Sequence, residues 1–519
     1  MKGERMIPLL LQNSEEEVTG FAKINKAAAD LIGTAYGVSI VYVLIIVLVG
    51  FGIYATVKTH AVQFTMFGKM WKTVLSSRKG AEGGISSFQA FAVGLADRIG
   101  TGNIAGVAIA ITLGGPGSIF WMWLIALIGM ASAFIEATLA QMFKVRNPDG
   151  TFRGGPAFYI ERGLGSRAWG KVFAVLLIFT YAFAFQLIQS NTLSGLMQSN
   201  FQVPTWVTAI VLVVITAPFF IKGIRSVARI TEYLAPIMAV VYIALALVVI
   251  IANIDQVGAV FGMIFSGAFG LNSAAGGTFG GLYVALMNGA KRGLFSNEAG
   301  MGSAPNAAAT ATVSHPVKQG MIQSLGVFVD TILVCTATAF IVLLGGVYDP
   351  NATSQPSDGA ALTVDSLASL GGWTKPVVLL VIFMFVYSTL LGNFSYAEGN
   401  IKYLRGIEDK AGIVKAICIV AVFLGSILSI EVVWNIGDWA AALMAIVNLT
   451  ACFLLGKWAL GALKDYRHQL KTTPQDEIQF CSTDNPYLPG ELPTDIWTSE
   501  GIAAGKNIST DPEAGLHED

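Results

Sequence analysis

Eleven stretches of mostly apolar residues punctuate this chain, and each is long enough to cross a bilayer as a helix. The hydrocarbon core demands about 17 to 25 such residues per crossing. They run Tyr36 to Val57, Phe88 to Leu113, Ile119 to Phe143, Val172 to Leu196, Trp206 to Ile221, Leu234 to Ile254, Phe279 to Ala311, Met321 to Val347, Val377 to Tyr403, Ile413 to Ile430 and Trp434 to Leu460. At 54% hydrophobic and 13% charged residues, the chain carries more apolar surface than a soluble core buries. The expected class is an all-α, polytopic membrane protein whose main surroundings are lipid. A net charge of -1 gives no basic excess for nucleic acid. Cys335, Cys418, Cys452 and Cys481 are too dispersed for metal-ligand spacing and read as packing residues.

Lysine and arginine accumulate in cytoplasmic loops. If the stretches alternate in direction, one side's loops and the segment after Leu460 receive twenty-three of these residues, and the other side's loops receive Lys375 alone. That asymmetry predicts residues 1–35 outside, 36–57 as a first crossing, 58–87 as a cytoplasmic loop and 255–278 as an external connection. The run Ile7 to Leu11 is too short for a secretory leader, so the first crossing is expected to be retained. Residues 461–519, polar, acidic and proline-spotted, are expected to be a disordered cytoplasmic tail.

Laid over the seventh stretch at a fixed offset, the second pairs Ala96 with Ala290, Arg98 with Arg292, Asn103 with Asn297, Ala105 with Ala299, Gly106 with Gly300 and Ala110 with Ala304. Five stretches lie in 88–254 and five in 279–460. An odd number makes the two copies enter the membrane from opposite sides, which predicts an inverted repeat with one helix in front. Glycine-interrupted spans at corresponding positions of two such halves build midplane sites for ions and small solutes.

In Gly100-Thr101-Gly102-Asn103-Ile104-Ala105-Gly106, glycine lets the backbone leave helical geometry, and Thr101 and Asn103 put polar groups beside the freed peptides. The N-terminal end of the resumed helix favours a carboxylate, and exposed carbonyl and hydroxyl oxygens suit a sodium ion. The opposing break, Gly293 to Gly300, repeats the pattern with Phe295, Ser296 and Asn297 and adds Glu298, whose expected partner is Arg98 or Arg292. The bland alternatives are specific too. Gly-x-x-x-Gly in an apolar span is commonly a helix-packing face, and Asp97, Arg98 and Lys291 would serve equally as structural ion pairs. The four histidines fall in loops or tails, leaving no histidine relay across the membrane.

Gly100 to Gly106, Gly114-Gly115-Pro116-Gly117-Ser118-Ile119-Phe120-Trp121-Met122-Trp123, Gly154-Gly155-Pro156 and Arg292 to Pro305 together resemble the alanine or glycine:cation symporter family. The resemblance covers about Lys58 to Leu460. It implies the leucine-transporter fold, alternating access, and sodium or sometimes a proton driving uptake of alanine or glycine. It further implies that Thr101, Gly102 and Asn103 hold the substrate carboxylate, and that Gln189 faces the pocket with Phe295, Ser296 and Asn297. Ser388 and Thr389, with the backbone carbonyls of Ala96 and Ile99, become the sodium ligands, Thr389 also bordering the substrate. Without the resemblance, the two hydroxyls would be read as bonding back to their own helix. One departure is Asn393, where the family often has tryptophan; a smaller polar residue there widens the expected range toward glutamine or serine.

These features predict a transporter without a cofactor other than Na+ as coupling ion, and not an enzyme, since Glu298 has no neighbouring histidine or cysteine with which to build a catalytic centre. Two rivals stand beside it. A proton-driven symporter would use Glu298 or Asp97 as carrier, and a sensor would bind the amino acid without moving it.

Overall fold

A computed structural model describes residues 35–76, 86–148, 150–222, 224–270, 277–349, 359–404 and 411–508. Helices occupy all eleven apolar stretches: α1 (Ala35–Lys58), α2 (Ser87–Arg98) with α3 (Val107–Gly114), α4 (Ser118–Met142), α5 (Arg167–Phe201), α6 (Thr205–Lys222), α7 (Ile224–Ala252), α8 (Val257–Ala268), α9 (Gly277–Asn297) with α10 (Ala304–Thr310), α11 (Pro316–Leu344), α12 (Gly359–Ala368), α13 (Thr374–Ile401), α14 (Ala411–Ile427) and α15 (Ile430–Gln469). The helices α8 and α12 are additions to the connections between them. Among the described residues, α4, α5, α11, α13 and α15 are each long and apolar enough to span a membrane. Residues Pro236–Ala252 and Ile254–Ala268 meet that test together but bend by 82°. Several flanking helices, such as Thr205–Phe220 and Gly412–Ile427, are apolar but shorter.

Both glycine-rich stretches are broken where the sequence predicts. The first begins with a capping box at Ser86 and Gln89 and stops at Arg98. Ile99 is extended, and a π-helical turn over Gly102–Gly106 leads into α3. The second stops at Asn297, then takes left-handed backbone at Glu298 (φ 56°), Gly300 (φ 89°) and Gly302 (φ 85°) before α10 resumes. Glycine tolerates that region freely; Glu298 does not, and a side chain held there marks a segment the surroundings overdetermine. Further π-helical turns interrupt α5 at Phe179–Ala184 and α11 at Phe328–Cys335, a feature common at functional sites.

The chain is mostly helical, with a two-residue antiparallel ladder of Val145–Arg146 on Phe152–Arg153. One expectation is corrected. The segment after Leu460 is not a disordered tail over its described part: α15 continues to Gln469, and residues 471–508 pack on the bundle. Ile478, Phe480, Ile496 and Trp497 are buried there. Trp497 Nε1 donates to the Gln141 carbonyl at 2.9 Å, and the Phe480 N–H donates to the Ser314 carbonyl at 2.9 Å. A few well-spaced apolar anchors suffice to dock a segment whose average composition is polar. His315, correctly placed outside a span, is nevertheless buried. Its Nδ1 accepts from Val317 N–H, so the neutral ring presents Nε2–H to Asp465 at 3.1 Å, and burial holds its pKa below the ordinary histidine value.

Candidate functional site

The two breaks lie against each other in the middle of the bundle, crossed by α5, α11 and α13. At the first, the Asn103 Oδ1 accepts from the Gly100 N–H at 3.0 Å, satisfying a peptide group freed where α2 ends. Gln189 reaches in from α5, its Oε1 accepting from the Thr101 N–H at 3.4 Å. Gly102 packs under the Phe295 ring, which sits between Phe185, met edge-to-face, and a tilted Trp434, at centroid distances of 4.9 Å each. Thr101, Gly102, Asn103, Gln189, Phe295 and Ser296 therefore lie together at the first break. Asn297 faces aside, donating to Thr331 Oγ1 at 3.1 Å and accepting from the Ala299 N–H at 3.0 Å.

On α13, the Thr389 hydroxyl lies 3.2 Å from the Ala96 carbonyl and 3.5 Å from that of Ile99. This approach requires glycine at 100, where an added Cβ would sit 2.6 Å from Thr389 Oγ1. One hydroxyl and two carbonyls at the end of α2 are oxygen donors of the kind a hard monovalent cation takes, and so fit the sodium that the resemblance implies. Ser388 does not join them: its hydroxyl bonds back to the Phe385 carbonyl at 3.0 Å, as an ordinary helical serine does. The Asn393 amide and the Thr101 hydroxyl are buried without a hydrogen-bond partner.

The expected ion pairs are rearranged. Arg292 does not serve Glu298; it pairs with Asp438 at 2.8 Å and lies 4.4 Å over the Trp434 ring. Glu298 accepts from the Ser303 hydroxyl at 2.6 Å. Among the described residues no ion pair within 4.0 Å joins Arg98 to Glu298. Arg98 Nη1 instead points to the Gln323 carbonyl at 3.4 Å.

Two carboxylates that motif reasoning missed organise the centre. Asp330, in the π-helical turn of α11, accepts from Asn103 Nδ2 at 2.6 Å with one oxygen and from Ser296 and Thr331 hydroxyls at 2.8 Å each with the other. It thereby ties one break to the other. Cys335, read from sequence as packing, lies 3.3 Å from Asn103 and 3.1 Å from Ser296. Glu136 on α4 accepts the Gly300 N–H at 3.0 Å and a hydrogen bond from Asn448, which also donates to the Gly300 carbonyl at 2.9 Å and accepts from Tyr159. A usable signal was present: each is a lone acid within an apolar stretch, and an ionisable residue at that depth marks a site by default.

Residues 25–480 match the sodium:alanine symporter family. The chain is 44% identical over 433 residues to the probable sodium/glutamine symporter GlnT of Bacillus subtilis (strain 168), covering 82% of this chain and 88% of that protein. It is 43% identical over 429 residues to the amino-acid carrier protein AlsT of the same organism, covering 82% and 90%. To the sodium/alanine symporter AgcS of Methanococcus maripaludis it is 39% identical over 422 residues, covering 79% and 91%. With the match running through both breaks and the helices that cross them, the chain belongs to the sodium:alanine symporter family of multi-pass membrane transporters.

Proposed function

We propose that this protein imports small neutral amino acids together with Na+ by alternating access. The observation that carries the reading is the convergence of the Thr389 hydroxyl on the Ala96 and Ile99 carbonyls beside a break whose Thr101 hydroxyl is buried and unpaired. Thr389, Ala96 and Ile99 hold the cation. Thr101, Gly102 and Asn103 receive the amino-acid carboxylate, with Gln189, Phe295 and Ser296 around it and Asn393 at the side chain. The cation offsets the charge that a carboxylate brings into low dielectric, so the two enter together, and their joint occupancy biases which side is open. The eleven crossings are proposed to form a leucine-transporter-like 5+5 inverted repeat, residues 88–254 and 279–460, behind the crossing at 36–57. The N-terminus is outside and residues 461–519 are cytoplasmic.

The names of the relatives, one a glutamine and one an alanine symporter, support the class and leave the side-chain range to Asn393. Asn393→Trp is expected to narrow uptake toward glycine and alanine, read as loss of competition by glutamine; unchanged competition would count against a role for this residue. The class itself is tested by uptake of labelled alanine into proteoliposomes under an inward sodium gradient, against choline and against a proton gradient. Accumulation is expected with sodium. Binding without accumulation under any gradient would instead make the protein a sensor.

A further inference from the structure

We infer that Trp497 is a positioning residue for transport: acting through Gln141 and Lys144, it holds the helix beyond the second break, α10, in the place it takes here, and so opposes opening of the site toward the cytoplasm. The inference rests on the symport reading and on the cytoplasmic placement of residues 461–519. It adds to them a means of setting which side is open.

A helix as short as α10 cannot satisfy its own last carbonyls, and where these are buried they need donors from elsewhere. Gln141 Nε2 donates to the carbonyls of Ala308 at 2.5 Å and Ala311 at 2.9 Å, and Lys144 Nζ donates to that of Ala311 at 3.1 Å. Both donors are in turn met by Trp497. Its Nε1–H donates to the Gln141 carbonyl at 2.9 Å. The buried Lys144 ammonium lies 3.8 Å from the centroid of the Phe152 ring and 5.0 Å from that of Trp497, within the range at which an aromatic face attracts a cation.

The segment that carries Trp497 is also fastened just past α10. Ser314, in the link from α10 to α11, accepts the Phe480 N–H at 2.9 Å on its carbonyl and donates its hydroxyl to the Ile478 carbonyl at 2.7 Å. The Ser482 N–H donates to the Trp497 carbonyl at 2.7 Å, and the Phe480 and Trp497 rings meet edge-on at 5.5 Å, so the two anchors form one unit. Gln475 extends it to the helix Phe67–Ser76, donating to Thr73 Oγ1 at 2.6 Å, and Arg162 donates to the Pro493 carbonyl at 2.9 Å. The unit thus reaches from the exit of the second break to the connection that leads into the first. The family match ends at residue 480, so Trp497 lies outside it.

Thr101, Asn103 and Ser296 are buried in this arrangement, so α10 is held where the site is closed. Alternating access needs a second arrangement, and contacts made in only one of the two weight the equilibrium toward it. Those of Trp497 belong to the closed one.

The test compares right-side-out and inside-out membrane vesicles carrying the full-length protein, so that alanine is offered to each face in turn. Trp497→Ala is expected to lower the half-saturating alanine at the cytoplasmic face about fivefold, because the population open to that face rises by that factor, and not to lower it at the outer face. Trp497→Phe keeps a ring and loses the hydrogen bond to Gln141; it should shift the same constant about twofold. A merely structural role would reduce the number of working carriers, and with it the maximal rate, while leaving both constants in place. A half-saturating alanine at the cytoplasmic face that is unchanged or raised in both variants overturns the inference. Should Trp497→Ala fold poorly, Trp497→Phe alone decides it. Hydrogen exchange in the purified protein reads the hold without transport: residues 304–315 should exchange several-fold faster in Trp497→Phe while residues 374–401 do not, and unchanged rates at 304–315 also overturn the inference. Wild-type vesicles that take up no alanine under any cation gradient, with the exchange difference present, refute the symport reading and leave the hold on α10 standing.

Discussion

Thr389→Ala is expected to reduce sodium-driven alanine uptake by about a hundredfold, roughly 2.7 kcal/mol, without dismantling the bundle. Among the described residues, the Thr389 hydroxyl is the side-chain oxygen that bonds the Ala96 and Ile99 carbonyls. Those carbonyls belong to the frayed end of α2, which has no further turn of helix to keep them in place. Removing the hydroxyl deprives a cation of one of few ligands in a water-poor site, where a charged hydrogen-bonding partner contributes about 1.5 to 3 kcal/mol. The loss should be visible as a rise in half-saturating sodium before any change in maximal rate. Thr389→Ser keeps the oxygen and should retain most uptake. Ser388→Ala should do little, because its hydroxyl is committed to Phe385. If Thr389→Ala keeps the wild-type sodium dependence, the cation lies elsewhere.

Asp330→Ala should be nearly as costly for a different reason. Its two oxygens join Asn103 on one break to Ser296 on the other, and Thr331 supports the second oxygen. Truncation leaves the Asn103 amide and the Ser296 hydroxyl buried without their acceptor, at about 1 to 3 kcal/mol for each stranded group. It also removes the tie between the two breaks. Uptake is expected to fall by about 10- to 100-fold, with a lower thermal unfolding temperature in detergent. Asp330→Asn keeps the shape but turns a donor toward at least one of the three donors it now receives, so it should fall between wild type and alanine. Uptake within twofold of wild type in Asp330→Ala would show that the tie is incidental.

The break positions were legible because glycine, threonine and asparagine in an apolar stretch have few other uses, and because the pattern recurs between Ala96–Ala110 and Ala290–Ala304. Thr389 and Gln189 were placed by resemblance, and the geometry brings both to the first break. Ser388 was misread because adjacent hydroxyls on a helix point about 100° apart, so only one of the two faces α2. The partner of Arg292 could not be read from local sequence. Asp438 lies 146 residues away on α15, and Glu298 looked closer only along the chain. Asp330 and Glu136 were overlooked for the opposite reason. Each is a single acid without a motif around it, and their meaning comes from the peptide groups and amides that the fold brings to them. The docking of residues 471–508 was hidden by averaging, since Ile478, Phe480, Ile496 and Trp497 are sparse among polar neighbours.

That docking bears on how the molecule is made. Gln141 donates to the carbonyls of Ala308 at 2.5 Å and Ala311 at 2.9 Å, holding the short helix α10 beyond the second break, while its own carbonyl receives Trp497. Lys144, one turn on, reaches Ala311 at 3.1 Å and lies 5.0 Å over the Trp497 ring. A residue that supports a helix in the middle of the chain is therefore translated after all the helices assigned to the bundle. Until Trp497 arrives, a chain with all these helices synthesised still lacks the ring that backs Gln141 and Lys144, so the seat of α10 is completed last.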